Sequence, residues 1–175
     1  TATAFLPADL SRFCAKFVKK LGEGAFGAVF AGMLPDGRRI AVKQMELAPV
    51  DKKKKQQQQE GGKPPSADPY SGEAGFRREL ETLGRCAHAN IVLLFGYCIE
   101  KRKAGKSTFS LVIEFMPGGS LLDALAAGRS CQQPALAAAP RLDVASDVAR
   151  GLHYLHTEAL LIHQDVKSDN VLLAF

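Results

Sequence analysis

Long apolar segments, a secretory leader and clustered cysteines are all missing from this 175-residue sequence. No apolar run approaches the roughly 18 residues that a membrane-spanning helix needs, so we expect no membrane contact by this segment. The start of the chain lacks the charged-then-apolar pattern of a signal peptide. Because the first residue is Thr1 rather than Met, we expect the sequence to be a piece of a longer protein.

Cysteine is sparse and widely spaced, at Cys14, Cys86, Cys98 and Cys131. None of the four belongs to a C-x-x-C pair, and none has a histidine at the spacing of a zinc site. This pattern predicts reduced, mostly buried thiols in a cytoplasmic protein.

Positive charge is concentrated in one segment rather than spread over a face. Residues 51–63 hold five lysines and two acidic residues, so they supply +3 of the net charge of +5. A basic run in a polar stretch is typical of a solvated loop. We therefore expect no nucleic-acid partner.

The apolar pattern predicts a strand-rich first half and a helical second half. Five strands are predicted at 17–21, 28–32, 39–43, 91–97 and 109–115, and three helices at 76–86, 120–127 and 142–156. Ser120 is the expected N-cap of the second helix. The longest helix is expected to bury a stripe formed by Ala145, Val148, Ala149, Leu152 and Leu155. Between the third strand and the first helix, the Lys-, Gln-, Gly- and Pro-rich composition of about 48–74 predicts a disordered insertion.

Glycines recur at 22, 24 and 27 in a G-x-G-x-x-G-x-V pattern. Dinucleotide-binding folds use a similar pattern, but there the glycines open a helix. Here β-forming residues resume at once, in Val29 and Phe30. The pattern therefore predicts a glycine-tipped hairpin whose backbone N–H groups can approach phosphates.

Lys43 follows the apolar strand residues Ile40, Ala41 and Val42. A lysine in such a strand is costly unless its charge is paired, and Glu79 lies on the expected inner side of the first helix. We predict a Lys43–Glu79 ion pair. The alternative is that Lys43 extends to solvent and Glu79 is an ordinary surface acid.

A loop of polar residues follows the longest helix. Asp165 could accept a hydroxyl proton, Lys167 could neutralise charge on a transferred phosphoryl group, and Asn170 could bind a metal through its carbonyl oxygen. Phosphoryl transfer depends mostly on positioning and electrostatics, and these three groups meet that need.

Taken in order, these motifs resemble the signature set of eukaryotic protein kinases, and in detail the plant receptor-like and Raf-like serine/threonine kinases. The phrases that carry the similarity are FRREL at 76–80, HANIV at 88–92, LFGYC at 94–98 and ARGLHYLH at 149–156. The resemblance covers roughly residues 17–175 apart from the insertion.

The resemblance implies a protein-kinase-like α+β fold, with an antiparallel five-stranded N-lobe that carries one main helix and with the start of a helical C-lobe. The implied boundaries are an N-terminal flank at 1–16, the N-lobe and hinge at 17–116, and a partial C-lobe at 117–175. Leu83 and His163 would be packing residues. A cytoplasmic location, or the cytosolic part of a membrane receptor, follows from the same resemblance.

The resemblance also implies ATP and Mg²⁺ as cofactors and a protein with Ser or Thr as substrate. The implied catalytic residues are Asp165 as base, Lys167 as γ-phosphate cation, Lys43 and its partner Glu79, and the implied metal ligand is Asn170. The implied nucleotide-binding residues are Leu21, Gly22, Gly24, Gly27, Val29, Ala41, Lys43, the gatekeeper Ile113, the hinge residues Glu114 and Met116, and Leu172.

Two departures from the kinase pattern change the expectations. Gln164 stands where many family members have Arg, and a neutral amide cannot make the bidentate contact to an activation-loop phosphate. We therefore expect the parent enzyme not to be activated through such a contact. No D-F-G motif occurs within the 175 residues, so the main magnesium ligand is missing and we expect this polypeptide to have little or no catalytic activity.

Two alternatives remain open at this point. One is a pseudokinase, a nucleotide-binding or scaffold module without catalysis, although Lys43, Glu79, Asp165, Lys167 and Asn170 are all present. The other is a truncated product with no function of its own. The sequence gives no indication of the oligomeric state.

Overall fold

The computed structural model describes residues 2–14, 19–24, 27–47, 72–101, 106–127 and 138–175. These residues form two compact units. The first comprises Thr1–Gly84 and Leu94–Ile113, and the second comprises Arg85–Leu93 and Glu114–Phe175. The predicted disordered insertion lies outside the described residues, except that a helix begins at its end, at Gly72.

The first unit is built on a sheet with six strands among the described residues. They are β1 (Thr3–Ala4), β2 (Lys20–Gly24), β3 (Gly27–Met33), β4 (Arg39–Leu47), β5 (Leu94–Lys101) and β6 (Ser107–Glu114), in the spatial order β1-β5-β6-β4-β3-β2. The β2–β3, β3–β4 and β5–β6 pairs are antiparallel, whereas β1 runs parallel to β5. The sheet is therefore mixed and has one strand more than the expected five. The extra strand is only two residues long, too short to show an alternating pattern in sequence.

Four helices occur in the described ranges: α1 (Pro7–Phe13), α2 (Gly72–Arg85), α3 (Leu121–Ala127) and α4 (Ala138–Thr157). α2 and α4 each begin four residues before their expected starts. Ser120 caps α3 as predicted, because its Oγ accepts the Asp123 N–H at 3.1 Å and donates to the Asp123 carboxylate at 2.7 Å. Pro7 opens α1, where its missing N–H costs no helical hydrogen bond.

The first unit has two apolar cores, which we call core 1 and core 2. Core 1 contains Leu10, Cys14, Leu34, Ile40, Val42, Cys98 and Val112. Core 2 contains Phe76, Leu94, Phe109 and Leu111, and its partly buried neighbours include Ala2, Met45, Leu80, Leu83 and Tyr97. Core 1 thus takes Leu10 and Cys14 from a segment that the sequence analysis treated only as a flank.

The cysteines within the described residues are free and buried, as predicted. Burial raises the pKa of Cys14 and of Cys98 to about 11, so both thiols stay protonated at neutral pH. Cys131 lies outside the described residues.

In the second unit the buried stripe of α4 agrees only in part with the predicted one, since Leu155 is buried and Val148 and Leu152 are partly buried as expected. Val144, Gly151 and Leu155 are buried, whereas Ala145 and Ala149 are exposed. The helix turns this face to residues 85–93 because Gly151 allows a close approach, where a Cβ would lie 2.9 Å from the Asn90 carbonyl oxygen. A prediction that counts only apolar side chains leaves the glycine out, so it places the buried stripe on a slightly different face of the helix.

The end of the chain packs on the turn before α3. Gly118 donates its N–H to the Leu173 carbonyl, Leu173 donates to the Gly119 carbonyl, both at 2.9 Å, and Leu172 forms a bridge with Ser120. The apolar residues 171–173 thus pair with residues 118–121, which lie earlier in the sequence. No helix in the described part of the chain combines the length and apolarity that crossing a membrane requires.

Candidate functional site

The glycine pattern lies in the β2–β3 hairpin, where Gly22 pairs with Val29 and Gly24 with Gly27. The glycines do not open a helix, so the dinucleotide-fold interpretation is excluded. Gly27 has φ of +107°, and a Cβ there would lie 2.1 Å from the Gln44 carbonyl oxygen. Only glycine fits at position 27. At Gly22 a Cβ would meet no atom within 4 Å, which leaves open space beside the backbone.

Lys43 and Glu79 form the predicted ion pair. The Lys43 Nζ lies 2.8 Å from one Glu79 carboxylate oxygen and 3.1 Å from the other. The two side chains are 24% and 34% exposed, so the pair is partly removed from water. The alternative in which Lys43 extends to solvent apart from Glu79 is wrong. Removal of Lys43 would leave the partly buried carboxylate of Glu79 without this counter-ion.

The strand period explains why Lys43 faces α2. Ile40 and Val42 are fully buried in core 1, so residues 41, 43 and 45 lie on the opposite face of β4. Met45 on that face packs against core 2, to which α2 contributes Phe76. Glu79 follows Phe76 by three residues, one turn along the same side of the helix. The two cores therefore set the distance between lysine and acid.

In the second unit Asp165, Lys167 and Asn170 meet in one loop. The Asp165 carboxylate accepts from the Asn170 side-chain amide at 2.9 Å and lies 2.9 Å from the Lys167 Nζ. The same amide nitrogen also donates to the Asp165 carbonyl at 2.8 Å. A short 3₁₀ turn, Ser168–Asn170, returns the asparagine to the aspartate. The loop brings together all three residues selected from sequence.

These contacts act on the ionisation of Asp165. The hydrogen bond from Lys167 lowers the pKa of the Asp165 carboxyl most, and the hydrogen bond from Asn170 lowers it further. His163 was expected to be a packing residue, but it is exposed, and its Nδ1 accepts the Asp165 N–H at 3.3 Å. The imidazole therefore orients the loop by a hydrogen bond instead of filling a core. Leu83 packs against core 2 as expected.

The remaining nucleotide-binding candidates divide between the units. In the first unit Ala41 is buried, Val29 and Ile113 are partly buried, and Leu21 is exposed. In the second unit Glu114 and Met116 are partly buried and Leu172 is exposed. The Glu114 N–H donates to the Leu93 carbonyl at 2.9 Å, and the Met116 carbonyl accepts from Gly119 at 3.3 Å.

The donor set near Asn170 suits a hard cation. Magnesium prefers oxygen ligands and usually takes only one or two from the protein, with phosphate and water as the others. The Asn170 nitrogen is committed to Asp165, which leaves the carbonyl oxygen of that amide as the metal donor. Within the described ranges, no cluster of three or more His, Cys, Asp and Glu side chains offers a metal site.

The family model of the protein kinase domain matches residues 15–174. The chain belongs to this family. The kinase resemblance found in the sequence is thereby confirmed.

Curated relatives of this kinase-family chain are plant receptor-like kinases. A probable LRR receptor-like serine/threonine-protein kinase of Arabidopsis thaliana is 39% identical over 158 residues, covering 89% of this chain and 14% of the relative. A leucine-rich repeat receptor protein kinase of Oryza sativa subsp. japonica is 40% identical over 155 residues, covering 87% of this chain and 9% of the relative. The chain therefore spans a small part of the length of these two relatives.

Solved structures confirm the kinase-like α+β fold. The maize sucrose-induced receptor kinase 1 kinase domain, bound to AMP-PNP, superposes with a TM-score of 0.65 at 26% identity, covering 93% of this chain and 48% of that chain. An apo pseudokinase gives a TM-score of 0.75 at 22% identity, covering 99% and 55% respectively. At that identity the pseudokinase shows the fold alone.

Two contributors to the candidate site were not predicted from the sequence. Gln44 fixes Gly27 through its backbone carbonyl, a contact that no side-chain pattern encodes. Met45 anchors the Lys43 face of β4 on core 2, and the alternation that predicts the strand could have identified it.

Proposed function

We propose that this chain binds ATP and carries the catalytic loop for transfer of the terminal phosphoryl group of ATP to Ser or Thr of a protein substrate. The observation that carries the proposal is the partly buried ion pair between Lys43 and Glu79. Lys43 lies on β4, the strand that follows the glycine hairpin, and Glu79 lies on α2. A lysine held by a carboxylate beside an open backbone is suited to bind phosphate oxygens. Membership of the kinase family supports the same chemistry.

In this proposal the first unit binds the phosphates. The backbone of the β2–β3 hairpin covers them, with Gly27 keeping the hairpin close to β4. Lys43 contacts the α- and β-phosphates, and Glu79 keeps its ammonium in place. Because the ion pair is already formed, little side-chain entropy is lost when the nucleotide binds. Leu21, Val29, Ala41 and Ile113 are the apolar side chains that this unit offers to the adenine, with Glu114, Met116 and Leu172 as the candidates in the second unit.

The second unit supplies the groups for transfer. Asp165 orients the substrate hydroxyl and accepts its proton, while Lys167 neutralises charge on the phosphoryl oxygens. Asp165 is ionised at neutral pH, as an ordinary aspartate is, and the contacts that lower its pKa favour this form, which can accept a hydrogen bond from the hydroxyl. The Asn170 carbonyl oxygen would hold Mg²⁺, which when bound neutralises phosphate charge.

Serine or threonine as the acceptor is favoured by two observations. Lys167 stands two residues after Asp165, as in serine/threonine kinases, and the relatives carry that activity in their names. Since those relatives are named as receptors, we also propose that the chain lies on the cytosolic side of a membrane receptor or in the cytoplasm.

A nucleotide-binding scaffold without catalysis is the second candidate, because the same fold occurs in a receptor kinase domain and in a pseudokinase and so does not distinguish the two functions. The two candidates share the nucleotide site and differ only at the catalytic loop. They can therefore be separated by measuring binding and transfer independently.

Titration of the 175-residue chain with a fluorescent ATP analogue and Mg²⁺ tests the shared part. We expect saturable binding with a Kd within about 1 μM to 1 mM, the range in which enzymes typically bind substrates. Unlabelled ATP should displace the analogue. Absence of competable binding by a folded chain would contradict the proposal.

Transfer is tested with radiolabelled ATP, a Ser/Thr-containing protein acceptor, and the Asp165→Asn variant. The enzyme in this assay is a protein that contains this loop and a complete metal site. The catalytic proposal predicts that it produces labelled phosphoserine or phosphothreonine. Asp165→Asn should abolish this product without weakening nucleotide binding. The scaffold alternative predicts equal nucleotide binding and no transfer in either protein.

A further inference from the structure

Residues 2–14 precede the part of the chain that the kinase family model matches, yet they are built into the first unit. We call them the N-terminal strap. β1 pairs in parallel with β5, at Thr3 with Gly96 and at Ala4 with Tyr97. Phe5 adds a backbone hydrogen bond from its N–H to the Tyr97 carbonyl at 2.8 Å. The strap therefore covers the edge of β5.

Two glycines of the kinase domain leave room for the strap. A Cβ at Gly96 would lie 2.0 Å from the Thr3 carbonyl oxygen and 2.6 Å from the Phe5 ring. A Cβ at Gly32 would lie 2.8 Å from the Cys14 sulfur and 3.0 Å from the Phe13 carbonyl oxygen. Real Cβ atoms do not approach other atoms this closely. The domain can accept the strap only because side chains are absent at both positions.

The strap is anchored through α1 in core 1, and its first residues pack against core 2, the apolar cluster that also includes α2. Leu10 is 1% and Cys14 is 2% exposed in core 1, and Phe5 packs edge-on against Phe13 at 6.0 Å. At the other end Ala2 packs against core 2. Core 2 is the cluster in which Phe76, Leu80 and Leu83 hold α2, the helix that carries Glu79.

We propose that the N-terminal strap is a positioning element that holds α2, and with it Glu79, in the orientation that pairs with Lys43. This inference rests on the proposed nucleotide-binding function. Release of β1 removes Ala2 from core 2 and leaves the edge of β5 open, so the apolar cluster on which α2 packs loses one of its members. A modification or a partner that detaches the strap would then weaken nucleotide binding without touching the nucleotide site.

Two variants of the 175-residue chain detach β1 in different ways. Deletion of residues 1–5 removes it, while Gly96→Ala keeps every strap residue and places a methyl group where the Thr3 oxygen lies. Gly84→Ala is the matched control, since the nearest atom to its added methyl is the Leu94 Cδ2 at 3.9 Å, an ordinary contact. If the deletion does not fold, Gly96→Ala carries the test.

We expect both detaching variants to bind the fluorescent ATP analogue at least about five-fold more weakly, the lower end of usual coupling between sites. We also expect faster amide hydrogen exchange in α2. Gly84→Ala should leave the affinity unchanged and should not speed exchange in α2, because Gly84 lies in this helix and alanine favours a helix more than glycine does. In a Glu79→Gln background the deletion should cause little further loss of affinity, because the strap acts through Glu79.

Unchanged affinity and unchanged α2 exchange in both detaching variants would overturn the strap proposal and leave the nucleotide-binding function intact. The proposal would also be overturned if the deletion weakened nucleotide affinity as much in the Glu79→Gln background as in the wild-type chain. The strap would then act on general stability alone. If the wild-type chain binds no ATP, the proposed function fails by itself. The exchange measurement still decides the strap in that case, since unchanged α2 exchange refutes it.

Discussion

The Lys43–Glu79 pair and the Asp165 loop place charged groups close together by different means. The pair joins residues 36 positions apart and depends on β4, α2 and two apolar cores. The loop joins residues at most five positions apart through their own hydrogen bonds. The pair is 24% and 34% exposed, whereas Lys167 and Asp165 are 46% and 50% exposed.

This difference indicates where each half of the site is vulnerable. Water screens the charges of the loop, so each of its contacts contributes little energy and acts mainly on geometry. The ion pair is less well solvated, so loss of one partner is costly, and its position depends on the packing of a whole unit. The predictions below test this contrast, beginning with the largest expected effect.

Lys43→Met should weaken binding of the ATP analogue by about ten- to a hundred-fold. The reason is that a hydrogen bond to a charged group contributes about 1.5–3 kcal/mol, and this ammonium is the cation that the first unit holds beside the glycine hairpin. Fluorescence titration at fixed Mg²⁺ measures the change.

Arg77→Met is the matched control for that substitution. Arg77 lies on the same helix as Glu79 and pairs with Glu73 at 2.7 Å, but both side chains are more than half exposed. Breaking such a pair should leave nucleotide affinity within about two-fold, since exposed ion pairs contribute at most about 1 kcal/mol even to stability. Equal losses in the two variants would mean that Lys43 acts only through net charge.

Gly27→Ala should destabilise the first unit by about 1–3 kcal/mol, the usual cost when an added methyl forces the backbone to shift. Its φ of +107° and the Gln44 carbonyl both oppose a side chain. Gly22→Ala in the same hairpin adds the same methyl to open space, so its effect on stability should stay within about 0.5 kcal/mol. Urea unfolding of both variants measures the difference, and equal midpoints would show that the close approach to Gln44 is not maintained in solution.

The contrast between pair and loop also explains what could be predicted from sequence. Asp165, Lys167 and Asn170 are close in the chain, so their spacing alone indicated a shared loop. The Lys43–Glu79 pair required two further inferences, that Lys43 lies in an apolar strand and that Glu79 lies on the inner side of a helix. Both held, because period-2 and period-3.6 patterns are strong in β4 and α2.

The elements that sequence missed lack such patterns. β1 is two residues long, and the packing of Phe13 and Cys14 depends on a glycine at 32 that leaves room for them. The buried stripe of α4 differs in part from the predicted one, because Gly151, a residue with no apolar side chain, lies where a Cβ would be only 2.9 Å from the Asn90 carbonyl oxygen. His163 was assigned to packing, but its imidazole is used for a hydrogen bond. In each case the observed structure depends on a close backbone approach or on a hydrogen bond to a ring nitrogen, and the spacing of apolar residues predicts neither.

The smallest effect is expected in the titration of Asp165, which tests whether the loop is organised by its own contacts. A pKa lowered by folding means that the loop contacts stabilise the folded state above the unfolded pKa and lose that contribution as the pH falls through the folded pKa. Lys167→Met should raise the Asp165 pKa toward its ordinary value, and Asn170→Ala should raise it by less, because the lysine hydrogen bond is the larger cause. Carboxyl-carbon NMR titration measures both changes, with Asp36 as an internal reference because Arg38 lowers its pKa in the other unit. If Asp36 shifts along with Asp165, the substitution has altered the protein globally, and if neither shifts, the hydrogen bonds of the loop do not form in solution.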